Sequence, residues 1–135
     1  MRKLLIGFVI IALAACNSND NAYPETAMDT GRTFIRASLD GDFKEAEKLL
    51  MPETENKEMF NSYIRYYEKM PAETKANYKK ASFEINEFLE LNDSTTIINY
   101  SNSYMNKPME IKVVRSNNRW QVDFTYTTSG NLPID

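Results

Sequence analysis

The stretch "FEINEFLELNDSTTIINY", residues 83–100, decides the fold. Before it, apolar residues recur every three or four positions; from Phe83 onward they recur every second one. Phe83, Ile85, Leu89 and Leu91 fall on one face of a strand, Asn92-Asp93 turns the chain, and Thr96, Ile98, Tyr100, Asn102 and Tyr104 line one face of the next strand. Alternating side chains on either side of a short polar turn make a β-hairpin. Downstream, Met109, Ile111 and Val113 mark a third strand, and Ser116-Asn117-Asn118 turns into a fourth with Trp120, Val122, Phe124 and Tyr126 on one face.

Upstream the spacing is helical. Ala27, Gly31, Phe34 and Ser38, with Ile35 and Leu39 beside them, form the apolar side of a helix over 25–39. Asp40-Gly41 stops it, since glycine readily takes the left-handed cap conformation. Asp42 caps the next helix with Glu45 as its capping-box partner, and Phe43, Ala46, Leu49 and Leu50 form the buried side before Pro52 closes it. A third helix begins near Thr54 and presents Met59, Phe60, Tyr63, Tyr67 and Met70; Pro71 ends or kinks it, and residues 72–80 add a helical turn or two. Helices first and antiparallel strands after them predict an α+β domain over 25–126, with three N-terminal helices packed on a curved four-stranded antiparallel meander sheet. Residues 127–135 read as a C-terminal tail, and the chain shows no internal repeat.

The N-terminus follows different rules. Met1-Arg2-Lys3 is a basic start, and Leu4 to Ala15 is an apolar run of 12 residues. As a helix that run spans about 18 Å, short of the roughly 30 Å hydrocarbon core, so residues 1–15 read as a signal peptide. Leu13-Ala14-Ala15-Cys16 resembles the bacterial lipobox, which implies that the Cys16 sulfur is acylated and the chain cut before it. The alternative is a signal cut nearby, with Cys16 left as a free thiol. With 1 cysteine in the chain no internal disulfide is possible, and acylation removes the liability of a lone exposed thiol. Each buried methylene is worth about 0.8 kcal/mol, and two or three chains hold where one holds only reversibly. Residues 16–24 then form the lipidated cysteine and a polar tether, with the lipid bilayer as the first partner. By resemblance to other lipoproteins, Asn17 after the cysteine implies the outer membrane, on its periplasmic side or at the cell surface; Asp20 is a weak form of a surface-export signal.

Cleavage leaves 120 residues and, by removing Arg2 and Lys3, takes the formal charge from −3 to −5. An acidic domain of this size holds one modest core and gains nothing from a phosphate backbone, so no nucleic-acid partner is expected. Lys75, Lys79 and Lys80 beside Tyr78 read as a solvated helix end.

The "LDGDFKEAEKLL" helix pair (residues 39–50), the third helix, the four strands and the ending "RSNNRWQVDF" (residues 115–124) together resemble the nuclear transport factor 2-like (cystatin-like) superfamily. More narrowly they resemble the small bacterial lipoproteins of domain of unknown function 4878. The resemblance covers roughly residues 25–126, and Asn117-Asn118 departs from the Asp-Gly common at that turn. It implies a cone-like sheet wrapped by helices, often hollow on its concave side. Some superfamily members place a carboxylate base and a tyrosine there, while others only bind or dimerise through the sheet. The fold alone does not choose among them.

The residues narrow the choice. With 0 histidines, Ser-His-Asp and Cys-His chemistry and imidazole metal sites are excluded; neither a metal nor a cofactor is expected. None of the 4 glycines sits in a phosphate-binding loop. Strand parity places Glu87 and Asn102 on the helix-covered face, with Tyr63 and Tyr67 pointing at it from the third helix. Those four are the candidate pocket residues, and Glu87 is the candidate catalytic carboxylate, since an apolar setting would raise its pKa. Against this, Glu87 could sit solvated at the rim, or a bulge at Asn86-Glu87 could turn the acid outward and Phe88 inward. The polar character of Ser82, Glu84, Asn86 and Glu90 on the opposite parity speaks against the bulge. Tyr63, Tyr67, Tyr100 and Tyr104 read as core residues with hydroxyls at the edge. Two function classes remain: a non-enzymatic lipoprotein module that binds a ligand or protein partner or dimerises through its sheet, which is the favoured one, and a small-molecule enzyme using Glu87 with a nearby tyrosine.

Overall fold

The structure, a computed structural model, describes residues 22–128; the expected signal segment, Cys16, the tether as far as residue 21 and residues 129–135 lie outside the described residues. Helix α1 (Ala27–Asp40) begins where the Thr26 hydroxyl accepts the Asp29 N–H at 3.0 Å. Its buried side carries Phe34, Ile35 and Leu39, and at Gly31 a Cβ would collide with Ile98, so the missing side chain lets the helix lie directly on the sheet. Gly41 ends it at φ 71°, with the Asp42 N–H reaching the Ala37 carbonyl (2.9 Å) and the Gly41 N–H the Ser38 carbonyl (3.2 Å), the paired bonds of a Schellman cap. Asp42 caps α2 (Phe43–Lys48) by accepting the Glu45 N–H. Glu45 completes no reciprocal box; its carboxylate takes Lys48 at 2.8 Å. Helix α3 (Thr54–Glu68) follows, and after Pro71 the expected turn or two is a nine-residue helix, α4 (Ala72–Lys80).

Strands β1 (Phe83–Asn92), β2 (Thr95–Asn102), β3 (Met109–Ser116) and β4 (Arg119–Asp123) form one antiparallel meander in the order β1-β2-β3-β4. Asn117 and Asn118 both take positive φ (51° and 60°), the conformation a two-residue hairpin turn requires and asparagine tolerates. Helices cover one face of this sheet, burying Ile98, Ile111, Val113 and Val122 beneath Phe34, Phe60 and Phe124. Ring centroids of Phe60 and Phe124 stand 5.2 Å apart, edge to face. Trp120 shares the parity of Val122 but lies at the sheet's end, half-buried against this core.

Two departures from strand parity have clear causes. The fourth strand ends at Asp123, not Tyr126, because the chain turns into α5 (Phe124–Thr128). The buried Asn56 side chain of α3 accepts the N–H groups of Phe124 (2.6 Å) and Thr125 (3.1 Å), and the Asp123 carboxylate accepts the Thr125 hydroxyl (2.6 Å). Donors that a fifth helix would leave orphaned are thereby satisfied. In β1 the register runs Ile85↔Tyr100 and then Glu87↔Asn99, leaving Asn86 as an extra residue. This is a β-bulge, and it overturns the placement of Glu87 on the helix-covered face. Asn86 donates to Asn99 (2.9 Å) and Ser101 (2.6 Å) on the uncovered face, Glu87 sits opposite Asn99, and Phe88 pairs with Ile98 on the covered side. The three polar partners on β2 and the bulged strand stabilise one another, which outweighs simple alternation.

Candidate functional site

The helices and sheet meet around a cavity of about 40 Å³ at the end of the fold where β2 leaves the sheet. A water's share of liquid volume is about 30 Å³, and an apolar cavity that takes benzene is about 150 Å³, so this space suits one or two waters. Helix α1 contributes Ser38 to its wall, α3 Tyr63 and Tyr66, α4 Tyr78, and β2 Tyr100 and Asn102. Methionines 70, 105 and 109 and four apolar residues complete the wall; no Asp, Glu, Lys or Arg lines it. Burial pushes the Tyr63 and Tyr100 hydroxyls well above the ordinary tyrosine value, with neighbouring tyrosines adding to the effect, and burial raises Tyr78 as well. These phenols are therefore neutral donors at physiological pH. The Ser38 hydroxyl oxygen is buried and lacks any hydrogen-bond partner among the described residues.

Of the four pocket candidates, the structure brings together two. Tyr63 and Asn102 line the cavity, though the Asn102 side-chain oxygen Oδ1 accepts the Tyr104 and Met105 N–H groups (3.1 and 2.8 Å) and so shapes the β2–β3 loop. Tyr67 stands apart, its ring edge to face with Phe43 at 4.8 Å and its hydroxyl over Gly41. Glu87 is exposed on the opposite face of the sheet. The cavity thus gathers neutral tyrosine donors with no carboxylate beside them among the described residues. Tyr66 and Tyr78 were not anticipated; Tyr66 sits beside the apolar stripe rather than on it, and Tyr78 lies in a lysine-rich segment. Ser38 did carry a signal, being a hydroxyl at an apolar helix position.

A second surface stands out by exposure. Phe88, Leu89 and Leu91 of β1 are 36 %, 46 % and 56 % exposed. The free edge of β4 is covered, since the Val122 N–H reaches the Leu49 carbonyl (2.7 Å) and the Met51 N–H returns to Val122 (3.0 Å). No described strand covers the free edge of β1, which bears Glu84, Glu87 and Glu90.

Among the described residues no cluster of three or more acidic, histidine or cysteine side chains could hold a metal ion, and no helix is long and apolar enough to cross a membrane. No protein family, no curated protein and no solved structure matches the chain. Its identity is thus one of architecture: an α+β domain with helices packed against a four-stranded antiparallel meander.

Proposed function

We propose that this chain is a membrane-anchored lipoprotein carrying a small non-enzymatic binding or interaction module. The observation that carries the non-enzymatic reading is the placement of Glu87 on the face of the sheet opposite the tyrosines, which leaves the cavity without a carboxylate base. The exposed apolar residues of β1 supply an interaction surface. The anchor rests on Leu13-Ala14-Ala15-Cys16 behind a basic start and an apolar run, and Asn17 supports the outer membrane as its place. Membership of the nuclear transport factor 2-like superfamily, near domain of unknown function 4878, belongs to the same reading. The order of helices and strands, the Gly41 cap and the asparagine turn before Trp120 support it.

The test of the anchor is metabolic labelling with a clickable fatty acid. Wild type is labelled and sediments with membranes, whereas Cys16→Ser is unlabelled and is released or stalls as a precursor; equal labelling of both would refute the anchor. A second reading, a polar occupant no larger than one or two waters held in the cavity, or the inner end of a longer ligand, is favoured by the Ser38 hydroxyl that has no partner among the described residues. Ser38→Ala separates the two. A raised melting temperature means a merely unsatisfied group has been removed, and a lowered one means an occupant has lost its hydrogen bond.

A further inference from the structure

The exposed apolar residues lie at the end of the domain where the tether attaches. In the meander, the turns at residues 93–94 and 117–118 occupy the same end of the sheet, joined by the Arg115 N–H on the Ser94 carbonyl at 2.8 Å. Helix α1 starts at that end and finishes at the other, where Ser38 meets Asn102 and Met109 around the cavity. Tyr23 is fastened there too, with the Arg119 guanidinium 3.9 Å from its ring centroid. Leu89 and Leu91 approach the 93–94 turn on β1, three strand spacings from β4, or about 14 Å. Cys16 precedes Tyr23 by seven residues, a reach of at most about 25 Å when fully extended.

We infer that this end of the domain rests on the bilayer, with Leu89 and Leu91, the residues nearest the 93–94 turn, entering the headgroup region beside the anchor. The inference rests on the proposed acylation of Cys16. A lipid surface is favoured over a second copy of the chain by charge. Pairing β1 with β1 of another molecule would bring two sets of Glu84, Glu87 and Glu90 together with no basic residue on either strand. At the turns, by contrast, Arg115 and Arg119 balance Glu90 and Asp93. The contact is therefore apolar, works on zwitterionic lipid and changes little with salt. In this orientation the cavity, at the opposite end, faces away from the membrane.

The experiment uses the full acylated protein in phosphatidylcholine vesicles, with a polarity-sensitive fluorophore on Leu91→Cys and, as the distal control, on Lys107→Cys of the β2–β3 loop. Acylation leaves the introduced cysteine as the free thiol, and both positions are exposed, so neither change disturbs the core. Vesicle flotation reports the anchor and the fluorophore reports the contact. With flotation intact, the label at 91 shifts to the blue and is quenched by a nitroxide lipid, while the label at 107 keeps its aqueous emission. Flotation with an aqueous label at 91 overturns the contact but leaves the anchor standing. A blue shift that ignores nitroxide lipid and grows with protein density assigns the surface to a second copy and overturns the lipid. Loss of flotation overturns the anchor and this inference with it.

Discussion

The two sides of the sheet are built from similar strands and finished in opposite ways. On the β4 side, the Leu49–Met51 segment hydrogen-bonds Val122, α5 folds over the end of the strand, and the Asn56 side chain holds that helix in place. On the β1 side, only Phe83 and Ile85 reach the core, and from Asn86 onward every residue of the strand is exposed. The cause is coverage. Helix α1 lies across β2, β3 and β4, and none of the described helices packs closely on the outer half of β1. A sheet edge left bare is ordinarily a hazard, and here the bulge at Asn86, a second register shift at Leu91 and three glutamates guard its backbone while Leu89 and Leu91 remain available. Stability is thus concentrated on one side and surface chemistry on the other.

That contrast makes unequal demands on mutations. The largest effect is expected at Phe60, which is fully buried and touches Phe34, Phe43, Tyr63 and Phe124. Phe60→Ala should cost about 3–5 kcal/mol in urea unfolding, a large part of a stability of roughly 5–15 kcal/mol. A loss below about 1 kcal/mol would mean that the closed side is loosely packed and the contrast false.

Asn56→Ala comes next. It strips the acceptor from two N–H groups at the start of α5, one of them buried, and should cost about 1–3 kcal/mol. Hydrogen exchange should quicken at Phe124 and Thr125 and stay unchanged in β1; a uniform increase would show that the two sides do not differ in local stability.

The buried tyrosines add a pH dependence. Because Tyr63 and Tyr100 hold their protons more tightly folded than unfolded, their contribution is complete below pH about 10. Above it the unfolded chain ionises first, and stability falls by up to about 1.4 kcal/mol per tyrosine per pH unit. The Tyr63→Phe/Tyr100→Phe pair should therefore unfold at a higher urea concentration than wild type at pH 11, relative to their difference at pH 8. Parallel curves at the two pH values would place both hydroxyls in water.

The smallest effects belong to β1. Leu91→Ser and Glu87→Gln should each change the urea midpoint by less than about 0.5 kcal/mol equivalent, since both side chains are exposed. A change of more than about 1 kcal/mol from either substitution would mean that the outer half of β1 is packed against a partner rather than bare.

Local patterning made the element types and their order readable. Gly41 sits where a left-handed cap is needed, two asparagines stand where a hairpin turn takes positive φ, and the change of period at Phe83 marks the end of the helices. The site was less legible. Tyr63 and Asn102 line the cavity, whereas counting alternate residues puts Glu87 on the wrong face because the segment contains a bulge. The strand at Phe124 failed for a related reason, since the Asn56 cap that bends it comes from 68 residues upstream.

What the sequence by itself determined was therefore whatever depends on neighbours within a turn of helix or a step of strand: the type and order of the elements up to Asp123, the Gly41 cap and the class of the fold. Tertiary structure alone decided which face Glu87 occupies, which tyrosines converge on Ser38, and how far the helices extend over the sheet. Those outcomes depend on hydrogen-bond partners and coverage supplied by distant segments, and a single misplaced residue in a strand exchanges its two faces.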